Sequence, residues 1–97
     1  MASTDDQLQD RIRRAIESEE VPTIYFNAFV SATAPADVTV VLEQNGRPVA
    51  ALNMSYTIAK TLAESLAGGV REFERRTDTV VLTTHSVADK LGEAEED

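Results

Sequence analysis

The chain has 97 residues, of which 42% are hydrophobic, with 17 acidic and 9 basic side chains, one His and no Cys. That is the length of one domain, with enough apolar material for a core. It excludes disulfides, thiolate metal sites and sites built on two imidazoles, and a formal net charge of −8 argues against binding a phosphate backbone.

Residues 1–20 carry a net charge of −3. Leu8, Ile12, Ala15 and Ile16 recur at helical spacing, which predicts an amphipathic helix over residues 4–18. Ser3 or Thr4 can cap it, and Asp5 and Asp6 sit where the helix dipole favours negative charge. Glu17, Glu19 and Glu20 oppose the dipole at the other end. A helix this short is marginal unless its stripe packs on something, so the segment reads as an N-terminal helix or as a partly ordered acidic arm. It has no basic n-region followed by an apolar run, and no stretch of the chain approaches the about 20 apolar residues of a membrane span. The expected compartment is the cytoplasm, with no membrane partner.

Val21-Pro22-Thr23 ends the helix. Ile24 to Ala32 then alternates, which predicts a first strand. Ile24, Phe26, Ala28, Val30 and Ala32 face one way, with Phe26 expected in the core. Tyr25, Asn27, Phe29 and Ser31 face the other way. Residues 33–37 form a turn around Pro35. Val38 to Glu43 is the second strand, with Val38, Val40 and Leu42 on one face and Thr39, Val41 and Glu43 on the other. Asn45-Gly46 between two apolar runs is a hairpin signal. The third strand, about Val49 to Asn53, starts beside Pro48, which suits an edge or a strand start.

Ser55 is a good N-cap for a helix over residues 55–76. Ile58, Leu62, Leu66, Val70 and Phe73 form its stripe, widened by Ala59, Ala63 and Ala67. Gly68 and Gly69 fall inside it, at about 1 kcal/mol each relative to Ala. The expectation is a kink or another backbone packed close there. Arg71, Arg75 and Arg76 gather at the C-terminal end, where the dipole favours cations. Thr79 to Thr84 has the composition of a fourth strand. Ser86 to Asp89 has capping-box spacing, so Val87 to Leu91 reads as one helical turn. Residues 92–97 read as a disordered acidic tail. The middle of the chain, residues 21–76, is neutral, while residues 77–97 carry −5. Two Lys against seven Arg fits a GC-rich coding bias or a high-salt cytoplasm.

The expected fold is α+β. A three- to four-stranded antiparallel sheet, in β-β-β-α-β order, carries one long helix packed on it and an N-terminal amphipathic helix. Residues 21–91 form one domain, flanked by the 1–20 helix or arm and the 92–97 tail.

Several residues in this order resemble the DUF3467 family of small bacterial and archaeal proteins of unknown function. They are Ile24-Tyr25-Phe26-Asn27, Pro35-Ala36-Asp37-Val38-Thr39-Val40, Asn53-Met54-Ser55, Ala59-Lys60 with Leu62 and Leu66, and Phe73-Glu74. The likeness covers about residues 22–76. It implies the strand and helix order above, and no activity or catalytic residue.

No catalytic constellation emerges. His85 stands alone, and Thr83, Thr84, Ser86 and Asp89 are near it only in sequence. Glu72 and Glu74 project about 200° apart on a helix and cannot share a site. Gly68-Gly69 lacks the strand and the Lys-Ser or Lys-Thr of a phosphate loop. The chain is read as no enzyme, with no metal, no cofactor and no nucleic-acid partner. Arg71, Arg75 and Arg76 are candidates for an anion contact, against a solvated helix end or pairing with Glu72 or Glu74. Asn27 either hydrogen-bonds across a sheet interface or points at solvent. One helix covers one face of a sheet, and the other still carries apolar side chains. Tyr25, Asn27, Phe29 and Val41 are the expected self-association face, closed by a second copy as a homodimer or a dimer of dimers. The architecture is loosely similar to SecB-type export chaperones. The expected function is a homo-oligomeric adaptor or chaperone-like module for another protein. The alternative is a small-ligand or regulatory domain with a pocket between helix 55–76 and the sheet.

Overall fold

Ser3 opens the first helix through a reciprocal capping box. Its hydroxyl accepts from the Asp6 N–H, and the Asp6 carboxylate accepts from the Ser3 N–H. The two bonds satisfy two of the orphan donors at a helix start. In the computed structural model, which describes residues 3–95, this helix is α1 (Thr4–Glu17). Asp10 takes both Arg13 and Arg14 along its polar side. The segment expected as a helix or an arm is a helix.

Three strands follow: β1 (Ala28–Thr33), β2 (Asp37–Gln44) and β3 (Arg47–Ser55), in the order β1-β2-β3. Two tight turns set this arrangement. Ala34, Pro35 and Ala36 separate β1 from β2, and the Ala34 N–H donates to the Asp37 carbonyl at 2.9 Å. Asn45 and Gly46 join β2 to β3 with φ of 52° and 82°. Both central residues of a type I′ hairpin turn need positive φ, which Asn and Gly supply most cheaply. β1 pairs antiparallel with β2, with Ala28 opposite Glu43, Phe29 opposite Leu42 and Val30 opposite Val41.

The first strand starts four residues later than its alternation suggests. The register explains this. Continued backwards, it would set Phe26 opposite Asn45, Tyr25 opposite Gly46 and Ile24 opposite Arg47. The partner chain has already turned away there. Residues 22–26 therefore run unpaired, and Phe26, expected in the core, is 44% exposed.

α2 (Tyr56–Thr77) has 22 residues, about 33 Å at 1.5 Å per residue. Its N-cap is Ser55, whose hydroxyl accepts from the Ile58 N–H at 3.2 Å. Its C-cap is Asp78, left-handed at φ 52°, with its N–H donated to the Glu74 carbonyl. The fourth strand is absent, because the backbone it needs is committed elsewhere. The Thr79 N–H also goes to the Glu74 carbonyl, at 3.1 Å. The Val81 N–H goes to the Glu74 carboxylate at 2.8 Å. The Thr83 hydroxyl accepts from the Ser86 N–H at 3.0 Å, which caps a third helix, α3 (Thr84–Glu95). Residues 79–83 are a connector between two caps. α3 is longer than the single turn expected, and it carries residues 92–95 of the expected disordered tail. The rest of that tail lies outside the described residues.

The fold is thus α+β, with three helices and a three-stranded antiparallel sheet among the described residues. The order is α-β-β-β-α-α. The chain divides into two compact units, Met1–Asn53 and Met54–Asp97. The first holds α1 and nearly all of the sheet, the second α2 and α3.

Candidate functional site

Residues paired across an antiparallel ladder lie on the same face of the sheet. The register therefore places Phe29 with Leu42 on one face and Val41 with Val30 on the other. The expected association face grouped Phe29 with Val41. That grouping is corrected, because a register offset of one residue exchanges the faces of a whole strand. Tyr25 belongs to neither paired face, since it precedes β1.

Asn27 has a local task. Its N–H donates to the Glu43 carbonyl at 3.0 Å, although Glu43 is the register partner of Ala28. Two residues thus oppose one, as in a β-bulge. Its side-chain oxygen accepts from the Asn45 N–H at 3.1 Å, and its amide nitrogen donates to the Asn45 side-chain oxygen at 2.9 Å. Asn27 clasps the hairpin turn and is not free for an interface.

Arg75 and Arg76 are also spoken for. Arg75 makes a two-pronged contact with Glu72 at 2.6 and 3.1 Å, and Arg76 reaches the same carboxylate at 2.8 Å. The Arg75 guanidinium, and then that of Arg76, hold the Glu72 carboxyl below its ordinary pKa, and Glu72 raises that of Arg75. All three are open to solvent, so the cluster is a screened surface network. Arg71 takes no part in it.

Gly68 and Gly69 have no backbone pressed against them. A Cβ at Gly68 would meet only the end of the Arg71 side chain, at 3.8 Å, and one at Gly69 would meet nothing within 4 Å. The close packing expected there does not occur within the described chain. His85 is exposed and lies 3.3 Å from Asp89 one turn along α3, while the Ser86 hydroxyl is bonded to that of Thr83 at 2.8 Å. Among the described residues no nucleophile, base and orienting acid come together. Among the described residues no group of three His, Asp or Glu is placed to hold a metal ion. Among the described residues no helix is long and apolar enough to cross a membrane.

What remains is apolar surface. Leu42, on the central strand, is the one buried large apolar side chain among the described residues, at 7% exposure. Twenty-two others are exposed. The α1 stripe is bare, with Ile16 at 62%, and a shallow hollow along it is lined by Leu8, Arg11, Ile12 and Ala15. The α2 stripe is bare from Ile58 to Phe73, with Leu66 at 61%, and Phe29 on the edge of the sheet is 63% exposed. Sequence patterning identified each of these stripes. It did not reveal that they stay open.

Among known proteins, no family model, no curated sequence and no solved structure matches the chain.

Proposed function

We propose that the chain is a non-enzymatic protein-interaction module, a homo-oligomeric adaptor or chaperone-like protein whose apolar faces are closed by further copies and by a partner segment. One observation carries this reading: among the described residues Leu42 is the one large apolar side chain that is buried, while twenty-two are exposed. Burying one such side chain contributes about 1.5–3 kcal/mol, so closing these faces by association would add to the limited burial within one copy. The exposed side chains offer on the order of 1,000 Å² of apolar surface, against about 800 Å² per partner in a standard interface. The likeness of residues 22–76 to the DUF3467 family belongs to the same proposal and adds no activity to it.

The test is the mass in solution by size exclusion with light scattering, at low and at molar salt. A dimer or tetramer at both, with capture of a hydrophobic dye and of an unfolded model peptide by the assembled form, is the expected result. A folded monomer at both salts that captures neither overturns the proposal.

A further inference from the structure

β1 is an edge strand. Edge strands present a row of unpaired N–H and C=O groups, and natural sheets blunt them with charges, Pro or a covering segment. The two edges of this sheet differ in that respect. β3 begins with Arg47 and Pro48, and Pro lacks an N–H to offer a neighbour. β1 reads Ala-Phe-Val-Ser-Ala-Thr, with no charge and no Pro, and all six residues are exposed.

The hydrogen-bonding phase of β1 follows from its turn. The Ala34 N–H donates to Asp37, which makes Ala34 and Asp37 a bonded pair of the ladder. Bonded and non-bonded pairs alternate in an antiparallel ladder. The backbone groups of Ala28, Val30 and Ala32 therefore turn toward β2, and those of Phe29, Ser31 and Thr33 turn away from it. The bulge at Asn27 and the turn at Pro35 bound this open edge on both sides. It is six residues long and neutral, and its three outward residues are centred on Ser31.

Resting on the homo-oligomer reading above, we infer that β1 pairs antiparallel with β1 of a second copy about a two-fold axis at Ser31, making one continuous six-stranded sheet. This register sets Ser31 against Ser31 of the second copy and Phe29 against its Thr33. All three outward residues of each strand then both donate and accept, giving six N–H···O bonds. Shifting the axis to Val30 or Ala32 leaves part of the outward set unpaired. A second copy fits this edge because antiparallel pairing about a two-fold requires no charge complementarity, and the strand carries no charge.

The experiment is amide hydrogen exchange by NMR on the full-length chain, with Ser31→Pro as the variant. Ser31 donates outward, so a Pro there removes an edge donor and leaves the bonds to β2 intact. In the assembled chain the Phe29, Ser31 and Thr33 amides are expected to exchange at least tenfold more slowly than in the same chain diluted to monomer. Ser31→Pro is expected to run as a monomer with the Val30 and Ala32 amides still protected. If that variant does not fold, Ser31→Glu replaces it. Like charges directly opposed across the axis weaken association by roughly fivefold at low salt, and molar salt restores it. Unprotected outward amides in an assembled chain, or an oligomer undiminished by both variants, overturn the edge pairing and leave the homo-oligomer standing. A wild-type chain that stays monomeric overturns both.

Discussion

Asn27 and Asn45 are 18 residues apart and joined by two side-chain hydrogen bonds, at 2.9 and 3.1 Å. The clasp ties the start of β1 to the turn between β2 and β3, across the end of the three-stranded sheet. Asn27→Ala removes both bonds and keeps the backbone bond to Glu43. Each hydrogen bond contributes about 0.5–1.5 kcal/mol net, and the groups left behind are exposed and find water. The expected loss is therefore about 1–2 kcal/mol, with no further penalty for unsatisfied groups. Asn45→Gly keeps the turn, because Gly adopts the φ of 52° without strain. It removes only the acceptor for the Asn27 amide nitrogen, so about half the loss is expected. The double variant should cost no more than Asn27→Ala alone, apart from the small backbone effect of the new Gly. The measurement is urea unfolding at one fixed protein concentration, since the stability of an oligomer depends on concentration. An Asn27→Ala chain within 0.3 kcal/mol of wild type, or strictly additive losses in the double variant, refutes the clasp.

Three other outcomes are expected. Gly68→Ala should stabilise the chain by about 0.5–1 kcal/mol in the same urea experiment, because the new methyl meets only the end of the Arg71 side chain, at ordinary contact distance, and removes the helical cost of Gly. Asp78 holds φ 52° at the end of α2, so Asp78→Gly should raise the melting temperature and Asp78→Val should lower it, both followed by circular dichroism. The folded-state pKa of Glu72 lies below its unfolded value through Arg75 and Arg76. Its contribution is therefore complete above the unfolded glutamate pKa and disappears as pH falls through the depressed folded one. An NMR titration should give Glu72 a midpoint below that of glutamate in a short peptide, moving back toward it in molar salt.

The legible parts of this fold are those fixed within a few residues. Asn45-Gly46 announces its turn because both positions need positive φ. The Ile58 to Phe73 stripe and Ser55 announce α2 because a helix is defined by spacing and a cap. The parts that were not legible depend on where another segment stops. Alternation carries β1 back to Ile24, but β2 ends at Gln44 and leaves nothing to pair with. Thr79 to Thr83 has strand composition, but Asp78 turns left-handed and Glu74 then takes the next two useful N–H groups. Thr83 caps α3 without an acidic residue at the third helical position, so the capping-box template pointed three residues too far along. The separation of Phe29 from Val41 was not legible for a related reason. Alternation separates the two faces within a strand, and nothing local in the sequence says which face of β1 meets which face of β2.

Pairing at an edge lengthens a sheet and covers neither of its faces. On β1 and β2, Phe29, Val40 and Leu42 lie on one side and Val30 and Val41 on the other. A two-fold axis perpendicular to the sheet at Ser31 would place like faces side by side and double the width of each. That contact uses the backbone of β1, and the α1 and α2 stripes are made of other residues. Self-association through β1 and capture of another protein by these apolar faces would then use different atoms of the same chain. The two are separable by mutation: Ser31→Pro should abolish the first, and a polar substitution at Leu66 on α2 should weaken the second without altering the protection of the Phe29, Ser31 and Thr33 amides. An adaptor needs that division, since a surface consumed in holding the oligomer together is not available to its partner.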